Sequence, residues 1–300
     1  MINGIVNVYK EKGFTSFDVV AKMRGIFQQK KIGHTGTLDP DAQGVLPVCL
    51  GRATKVCDLL TDKDKEYETV LLLGVCTDTQ DLSGEILERK EVHATEDEVK
   101  KAILSFVGDY MQVPPMYSAL KVGGQKLCDL ARKGVTVERK ARPVTIHEIE
   151  ILSMNLPEVR MRVLCSKGTY IRTLCQDIGE KLGCGGCMKS LLRTRVAGFM
   201  IDEAIKLDEL EARLKSGDNS FIHSVDSVFT QYEKVSVLET ADKLVRNGNR
   251  IPQELICDMQ DSFKKECIRL YGWEGTFIGL YSYKAETEDF KPIKLFQTEL

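Results

Sequence analysis

Gly33-His34-Thr35-Gly36-Thr37-Leu38-Asp39-Pro40-Asp41-Ala42-Gln43-Gly44 is the most informative stretch of this 300-residue chain. Three glycines in twelve residues let the backbone turn tightly and come close to a ligand, and Pro40 biases Asp39 away from helical geometry. The loop thus mounts one carboxylate, Asp39, and one imidazole, His34, on a stiff turn. On the residues alone three readings stay open. Asp-Pro is a common turn start whose carboxylate bonds its own backbone. A desolvated, oriented aspartate can also act as a covalent nucleophile. A phosphate cradle is the third, and it lacks the Lys-Ser/Thr ending of the Walker pattern.

Outward from this loop, Ile2 to Tyr9 reads as a strand, and Ser16 as the cap of a helix running to about Phe27. Lys65 to Val75 reads as a strand, and Thr95 with Glu98 has the spacing of a capping box opening a helix to about Val107. Val144 to Met154 and Glu158 to Ser166 read as strands joined by a short turn, and Tyr170 to Leu182 as a helix ended by Gly183. Lys189 to Phe199 fits strand or loop. Strands with helices between them, several joined as hairpins, predict an α+β fold with a mixed, mostly antiparallel sheet flanked by helices. After an acidic helix around Asp208 to Glu211, a boundary near Phe229 to Lys234 divides a large unit, 1–232, from a small β-rich module, 233–300. The module's strands are expected at Glu266 to Tyr271 and Thr276 to Tyr283.

Composition narrows the partners. With 43% hydrophobic residues the chain can bury a real core, and its net charge of −2 excludes a globally basic nucleic-acid binder. Any such contact must be local. Met1 to Gly13 is charged early and does not read as a signal peptide, and the apolar run Val70 to Cys76 is too short for a bilayer. The ten cysteines read as reduced thiols of a cytoplasmic protein. Cys184-Gly185-Gly186-Cys187 has metal or redox spacing, but a single pair without a second pair or a nearby histidine is a poor zinc site, so no metal is expected.

The segment Gly33 to Gly44 resembles in full the Gly-His-x-Gly-x-Leu-Asp-Pro-x-Ala-x-Gly loop of the TruB family, pseudouridine synthases that modify uridine 55 of tRNA. Further family segments follow in order: Lys65-Glu66-Tyr67, Asp78-Thr79-Gln80-Asp81 with Gly84, Pro115 to Lys121, Ala141-Arg142-Pro143, and Ser166 to Thr173. The resemblance covers about residues 1–200 and implies the pseudouridine synthase fold, a tRNA T stem-loop as partner, no cofactor, and a monomer. By position, Asp39 resembles the nucleophile, Tyr67 the aromatic that stacks on the target uracil and is a candidate for proton transfer, and Arg172 the partner of Asp39. His34 resembles the residue that fills the space a departing uridine leaves in the RNA loop, and Lys10, Tyr170 and Leu191 match positions lining the family's active site. Two departures stand out. Lys10-Glu11-Lys12-Gly13 replaces Lys-Pro-x-Gly, and Leu191-Leu192-Arg193-Thr194 has lost one arginine of Leu-Arg-Arg-Thr.

Two other classes compete with this implication: a non-catalytic RNA-binding or RNA-folding protein on the same fold, and an unrelated nucleotide-binding enzyme using the glycine-rich loop. The intact set Asp39, Tyr67 and Arg172 argues against the first, and the missing Walker ending against the second. Residues 114–143 also argue for RNA. Lys121, Lys126, Arg132, Lys133, Arg139, Lys140 and Arg142 stand there against only Asp129 and Glu138, with Gly123, Gly124 and Gly134 between them. A connection this long is often functional, and it reads as a basic thumb that closes on the RNA backbone. The module 233–300 carries a weaker likeness to the PUA-like domains appended to such enzymes, at Val245 to Arg250 and Phe277 to Leu280. Replacing Lys121, Lys126 and Lys133 together by Ala is expected to weaken tRNA binding and flatten its salt dependence. Titrations at several salt concentrations check this, and an unchanged slope would remove the thumb reading.

Overall fold

Burial alternates residue by residue along Lys65–Leu73, with Lys65, Tyr67, Thr69, Leu71 and Leu73 all facing inward. That period of two is what a strand with one covered face requires, and this strand lies inside the sheet on which the rest is built. The computed structural model describes residues 1–296; the last four residues of the C-terminal module lie outside the described residues.

In chain order the first half comprises β1 (Gly4–Lys10), α1 (Ser16–Phe27), β2 (Ile32–His34), β3 (Gln43–Leu50), α2 (Cys57–Thr61), β4 (Lys65–Leu73), β5 (Val75–Thr77), β6 (Ile86–Arg89), α3 (Glu96–Leu104) and β7 (Gly108–Gln112). There follow β8 (Lys121–Val122), β9 (Gln125–Lys126), α4 (Leu127–Ala131), β10 (Arg142–Asn155), β11 (Glu158–Cys165), α5 (Ile171–Lys181), β12 (Gly186–Val196), β13 (Phe199–Met200), α6 (Leu207–Lys215) and β14 (Ile222–His223). The C-terminal part adds β15 (Lys234–Ser236), α7 (Asp242–Arg246), β16 (Ile251–Pro252), β17 (Ile268–Tyr271), β18 (Phe277–Lys284) and β19 (Asp289–Leu295).

The main sheet runs β14-β1-β3-β12-β4-β11-β10-β7, with β2 added on β3 and β13 on β12. All its strand pairs are antiparallel except β12 with β3, which meet in parallel at Leu192–Gln43 and Arg193–Gly44. Helices α1 and α6 cover one face of β1 and β3 through Val19, Val20, Met23, Leu207 and Leu210. Helices α3 and α5 close over β4, β10 and β11 through Val99, Ile103, Leu174 and Ile178. The C-terminal strands form a second sheet, β15-β17-β18-β19-β16, with its own core of Val235, Leu270, Tyr281 and Phe290. Its Leu280 and Phe296 join Ile5, Val45 and Phe229 in a shared apolar cluster, so this sheet packs against the first.

Several boundaries differ from expectation for local reasons. Thr15, not Ser16, caps α1, because Asp18 completes a capping box with it; Ser16 is left free to turn inward. The expected strand to Val75 stops at Leu73, and Gly74 turns the chain into the separate hairpin β5–β6. Helix α3 has the expected capping box but ends at Leu104. Strand β10 begins at Arg142, so the last two residues of the basic segment belong to the sheet, while the rest folds into the β8–β9 hairpin and α4. The ambiguous stretch after Cys187 is strand β12, and Tyr170 is the extended residue before α5 rather than its first turn.

Two glycine positions follow from close approach. Gly44 has φ +107°, and a Cβ there would collide with the carbonyl of Arg193, so only glycine lets β3 meet β12. Gly179 on α5 is pressed against the backbone of Gly185 and Gly186. The pair between Cys184 and Cys187 is therefore a helix-packing turn, with both thiols buried and Cys184 Sγ directed at the Gly179 carbonyl. Gly-to-Ala in a helix normally stabilises by about 0.5–1 kcal/mol, and Gly25→Ala on α1, which meets open space, is expected to do so. Gly179→Ala is expected to reverse the sign and destabilise by about 1–3 kcal/mol through overpacking. Denaturant unfolding of the two variants checks the contrast.

Candidate active site

The glycine-rich loop between β2 and β3 is held from beneath. The Leu38 N–H donates to Ser16 Oγ at 2.9 Å, which is the use the inward-turned serine finds. Lys10, fully buried at the end of β1, donates to the carbonyls of Phe14 at 2.6 Å and Pro40 at 3.1 Å. Burial pulls its pKa down to about 8, with Asp39 and Asp41 acting against that. Gly13 N–H adds a bond to the Pro40 carbonyl at 2.9 Å. The Asp39–Pro40 turn is thereby fixed by backbone contacts, and the Asp39 carboxylate is free for other work.

That carboxylate meets Arg172 side-on. Nε lies 2.9 Å from Oδ2, and Nη2 donates to Oδ1 at 3.2 Å. The paired geometry uses the planar fork of the guanidinium. The turn-aspartate alternative is accordingly set aside: the Asp39 carbonyl, not its carboxylate, accepts the turn's Ala42 N–H. Arg172 reaches the cleft from the first turn of α5, just after the extended Tyr170. It also donates to the Thr79 carbonyl at 3.0 Å and the Tyr117 carbonyl at 2.9 Å, and its Nη1 lies 3.6 Å from Asp81 Oδ2. The Asp39 side chain is 37% accessible and lines the cleft, though much of the residue is enclosed. Burial therefore raises its pKa; Arg172 opposes the rise, and Asp81, sharing the same guanidinium, adds to it.

The cleft encloses about 630 Å³, and Asp39, Tyr67, Tyr170, Arg172, Leu191 and Arg193 all line it. Tyr67 comes from β4, Leu191 and Arg193 from β12. Buried Gln112 clamps the Tyr170 backbone with two bonds, accepting from its N–H at 2.8 Å and donating to its carbonyl at 3.0 Å. A separate hollow of about 520 Å³ between α1 and α6 contains none of these groups.

Of the residues picked out from sequence, Asp39, Tyr67, Arg172, Tyr170 and Leu191 converge on one cleft. Lys10 does not line it and sits under the loop instead. His34 lies at the loop's start, its Nδ1 accepting from Gly36 N–H at 3.3 Å, and burial lowers its pKa toward the neutral ring. Arg142 lines the cleft from the start of β10. Lys121, Lys126, Arg132, Lys133 and Lys140 are exposed along the basic segment, and Arg139 ties its end to its start by donating to the Pro114 carbonyl at 3.0 Å. Sequence reasoning gave no role to Gln112, Asp81, Lys65 or Arg193. Asp81 and Lys65 lay inside quoted motifs and Arg193 inside the altered Leu-Leu-Arg-Thr run, whereas nothing marked Gln112.

Comparison with known proteins identifies the fold and the family. A solved H/ACA ribonucleoprotein bound to a substrate RNA containing 2′-deoxyuridine superposes with a TM-score of 0.72 at 24% identity, covering 98% of this chain and 85% of that one. A Cbf5-Nop10-Gar1 complex gives a TM-score of 0.71 at 26% identity with the same coverage. Residues 24–171 match the model of the TruB family pseudouridylate synthase N-terminal domain, and residues 172–234 that of the tRNA pseudouridylate synthase B C-terminal domain. The fold is that of the pseudouridine synthase class. Relatives named tRNA pseudouridine synthase B include one from Lachnoclostridium phytofermentans, 53% identical over 98% of this chain and all of its own, and one from Alkaliphilus oremlandii, 46% identical over 99% and 98%. The chain belongs to the TruB family.

If Asp81 helps keep the Asp39 pKa high, Asp81→Asn is expected to lower it. Carbon-13 titration of the Asp39 carboxyl in the two proteins measures the shift, and an unmoved or higher midpoint would contradict this account.

Proposed function

We propose that this chain converts uridine to pseudouridine in tRNA, in the T stem-loop at position 55, with Asp39 as nucleophile. Family membership sets the chemical class: the N1–C1′ bond breaks, the uracil turns within the pocket, and C5 joins C1′. The observation that carries the site assignment is the side-on pair of Arg172 with an Asp39 carboxylate that still opens into the cleft. A protein that only held RNA would have no use for an ionised carboxylate facing the substrate's phosphates.

The target atoms lie within a folded loop, so the nucleotide must leave its stack, at a cost of a few kcal/mol. Tyr67 lines the cleft, and a base stacked on its ring would regain about 1–3 kcal/mol. Leu191 and Tyr170 complete an apolar slot for the base, and His34 stands at the loop's entrance to occupy the vacated space. Arg172 favours the ionised form of the Asp39 carboxylate in a site where burial disfavours charge, and aims it. Attack on C6, attack on C1′ and passage through a dehydrated sugar all need a carboxylate at this place. The exposed basic residues of 114–143, from Lys121 to Lys140, would meet RNA phosphates from a thumb, with Arg142 at the cleft edge. The working protein in this reading is a cytosolic monomer, with a catalytic unit over 1–232 and an RNA-contacting module over 233–300.

Asp39→Asn is expected to retain tRNA affinity and lose turnover. The check is pseudouridine mapping on an unmodified tRNA transcript under single-turnover conditions. Measurable product from this variant would sink the nucleophile assignment, and product at another position would sink the T-loop assignment.

A further inference from the structure

Arg193 is a buried cation that the proposed chemistry has so far left without a task. It is 1% exposed on β12. Among the described residues no carboxylate lies within ion-pair distance of it, in contrast to Arg172 with Asp39 and Asp81. Its bonds go to neutral acceptors: Nε donates to the Val45 carbonyl at 2.7 Å, and Nη2 to the Gly36 carbonyl at 3.5 Å. Burying a charge with no counter-charge costs several kcal/mol, more than two backbone carbonyls repay. An anion formed during the reaction would complete the site.

The structure names the group on which that anion would form. Tyr67 on β4 and Arg193 on β12 are direct cross-strand partners, so their side chains share one face of the sheet. Both line the cleft, so the guanidinium and the phenol border the same space. Burial pushes the Tyr67 pKa up, and Arg193 acts against that rise. Of the other buried cations, Arg172 is paired with Asp39, while Lys10 and Lys65 also bond only backbone carbonyls; Arg193 alone among the four is the β12 residue directly opposite Tyr67.

We propose that Arg193 is the positioning residue for Tyr67, holding its phenolate while Tyr67 moves one hydrogen from C5 to N1 of the uracil. This rests on the pseudouridylation reading of the cleft. The overall isomerisation requires that transfer. When C5 has joined C1′, C5 still carries its hydrogen, and the ring holds a C6=N1 double bond. Tyr67 gives its hydroxyl proton to N1. The phenolate, balanced by Arg193, then takes hydrogen from C5. The C5–H electron pair becomes the C5=C6 bond, the C6=N1 pair returns to N1, and Tyr67 ends as it began. Nothing external is consumed.

The test uses single-turnover kinetics on tRNA transcripts made with ordinary uridine and with uridine deuterated at C5. Arg193→Met is expected to slow product formation on the order of 10²-fold, to enlarge the C5 isotope effect over that of wild type, and to leave tRNA affinity unchanged. Arg193→Lys, still cationic, is expected to recover part of the rate and shrink the isotope effect. Combined with Tyr67→Phe, Arg193→Met is expected to add little further loss. A rate loss with an unchanged isotope effect, or losses that multiply in the double variant, would overturn the inference and leave Arg193 as a strut for Val45 and Gly36. If the methionine variant does not fold, the lysine variant carries the same isotope comparison against wild type. A wild-type chain that made no pseudouridine would strike down the reading of the cleft itself, a result distinct from active wild type with an unmoved isotope effect.

Discussion

The guanidinium of Arg172 donates to Asp39 on the glycine-rich loop, to the Thr79 carbonyl beside β5, and to the Tyr117 carbonyl at the root of the basic segment, while Asp81 stands 3.6 Å away. One planar group thus ties α5 to three loops that are far apart in sequence. Such an arrangement tolerates little replacement, because a lysine would supply a point charge without the fork that fixes directions. It also explains why two carboxylates can share so confined a place. Each is partly neutralised by the same cation, and the one facing the cleft keeps its approach to a substrate.

Beneath this lies a second tier of contacts that carries no chemistry of its own. Lys10, Ser16 and Gln112 each spend their polar atoms on the backbone of a functional loop: Lys10 on Pro40, Ser16 on Leu38, Gln112 on Tyr170. Placing a side chain within tenths of an ångström is done by backbone restraint, which is why a site resting on loops can still be rigid. The main sheet supplies the remaining side chains, Tyr67, Leu191 and Arg193, from neighbouring strands β4 and β12.

How much of this was legible in the sequence depended on what kind of signal each residue leaves. Asp39, Tyr67 and Arg172 stood in motifs whose spacing can be matched, and the cleft gathers all three. Strong local rules also read well: the Thr95–Glu98 capping box opens α3, and the stretch read as a strand from Lys65 is β4, ending at Leu73 rather than Val75. Cap identity at α1 read less well, since Thr15 and Ser16 are adjacent and both able, and only Asp18's reach decides between them. Strand β12 was obscured because, enclosed between β3 and β4, it carries buried polar residues, Arg193 and Thr194, in place of a clean apolar alternation. Gln112 left no trace, because its value comes entirely from a partner 58 residues away.

The parallel contact between β3 and β12 is short, and its Arg193–Gly44 step lies directly below the glycine-rich loop. It is the seam at which the two halves of the ten-stranded sheet are joined. The cleft is built across that seam, with Asp39 contributed from one side and Tyr67 from the other. No half of the sheet can therefore hold a working site by itself, and a nascent chain acquires one only after β12 has been made and inserted, roughly two-thirds of the way along the sequence. Reactivity toward uridine is in this sense withheld until the fold is closed.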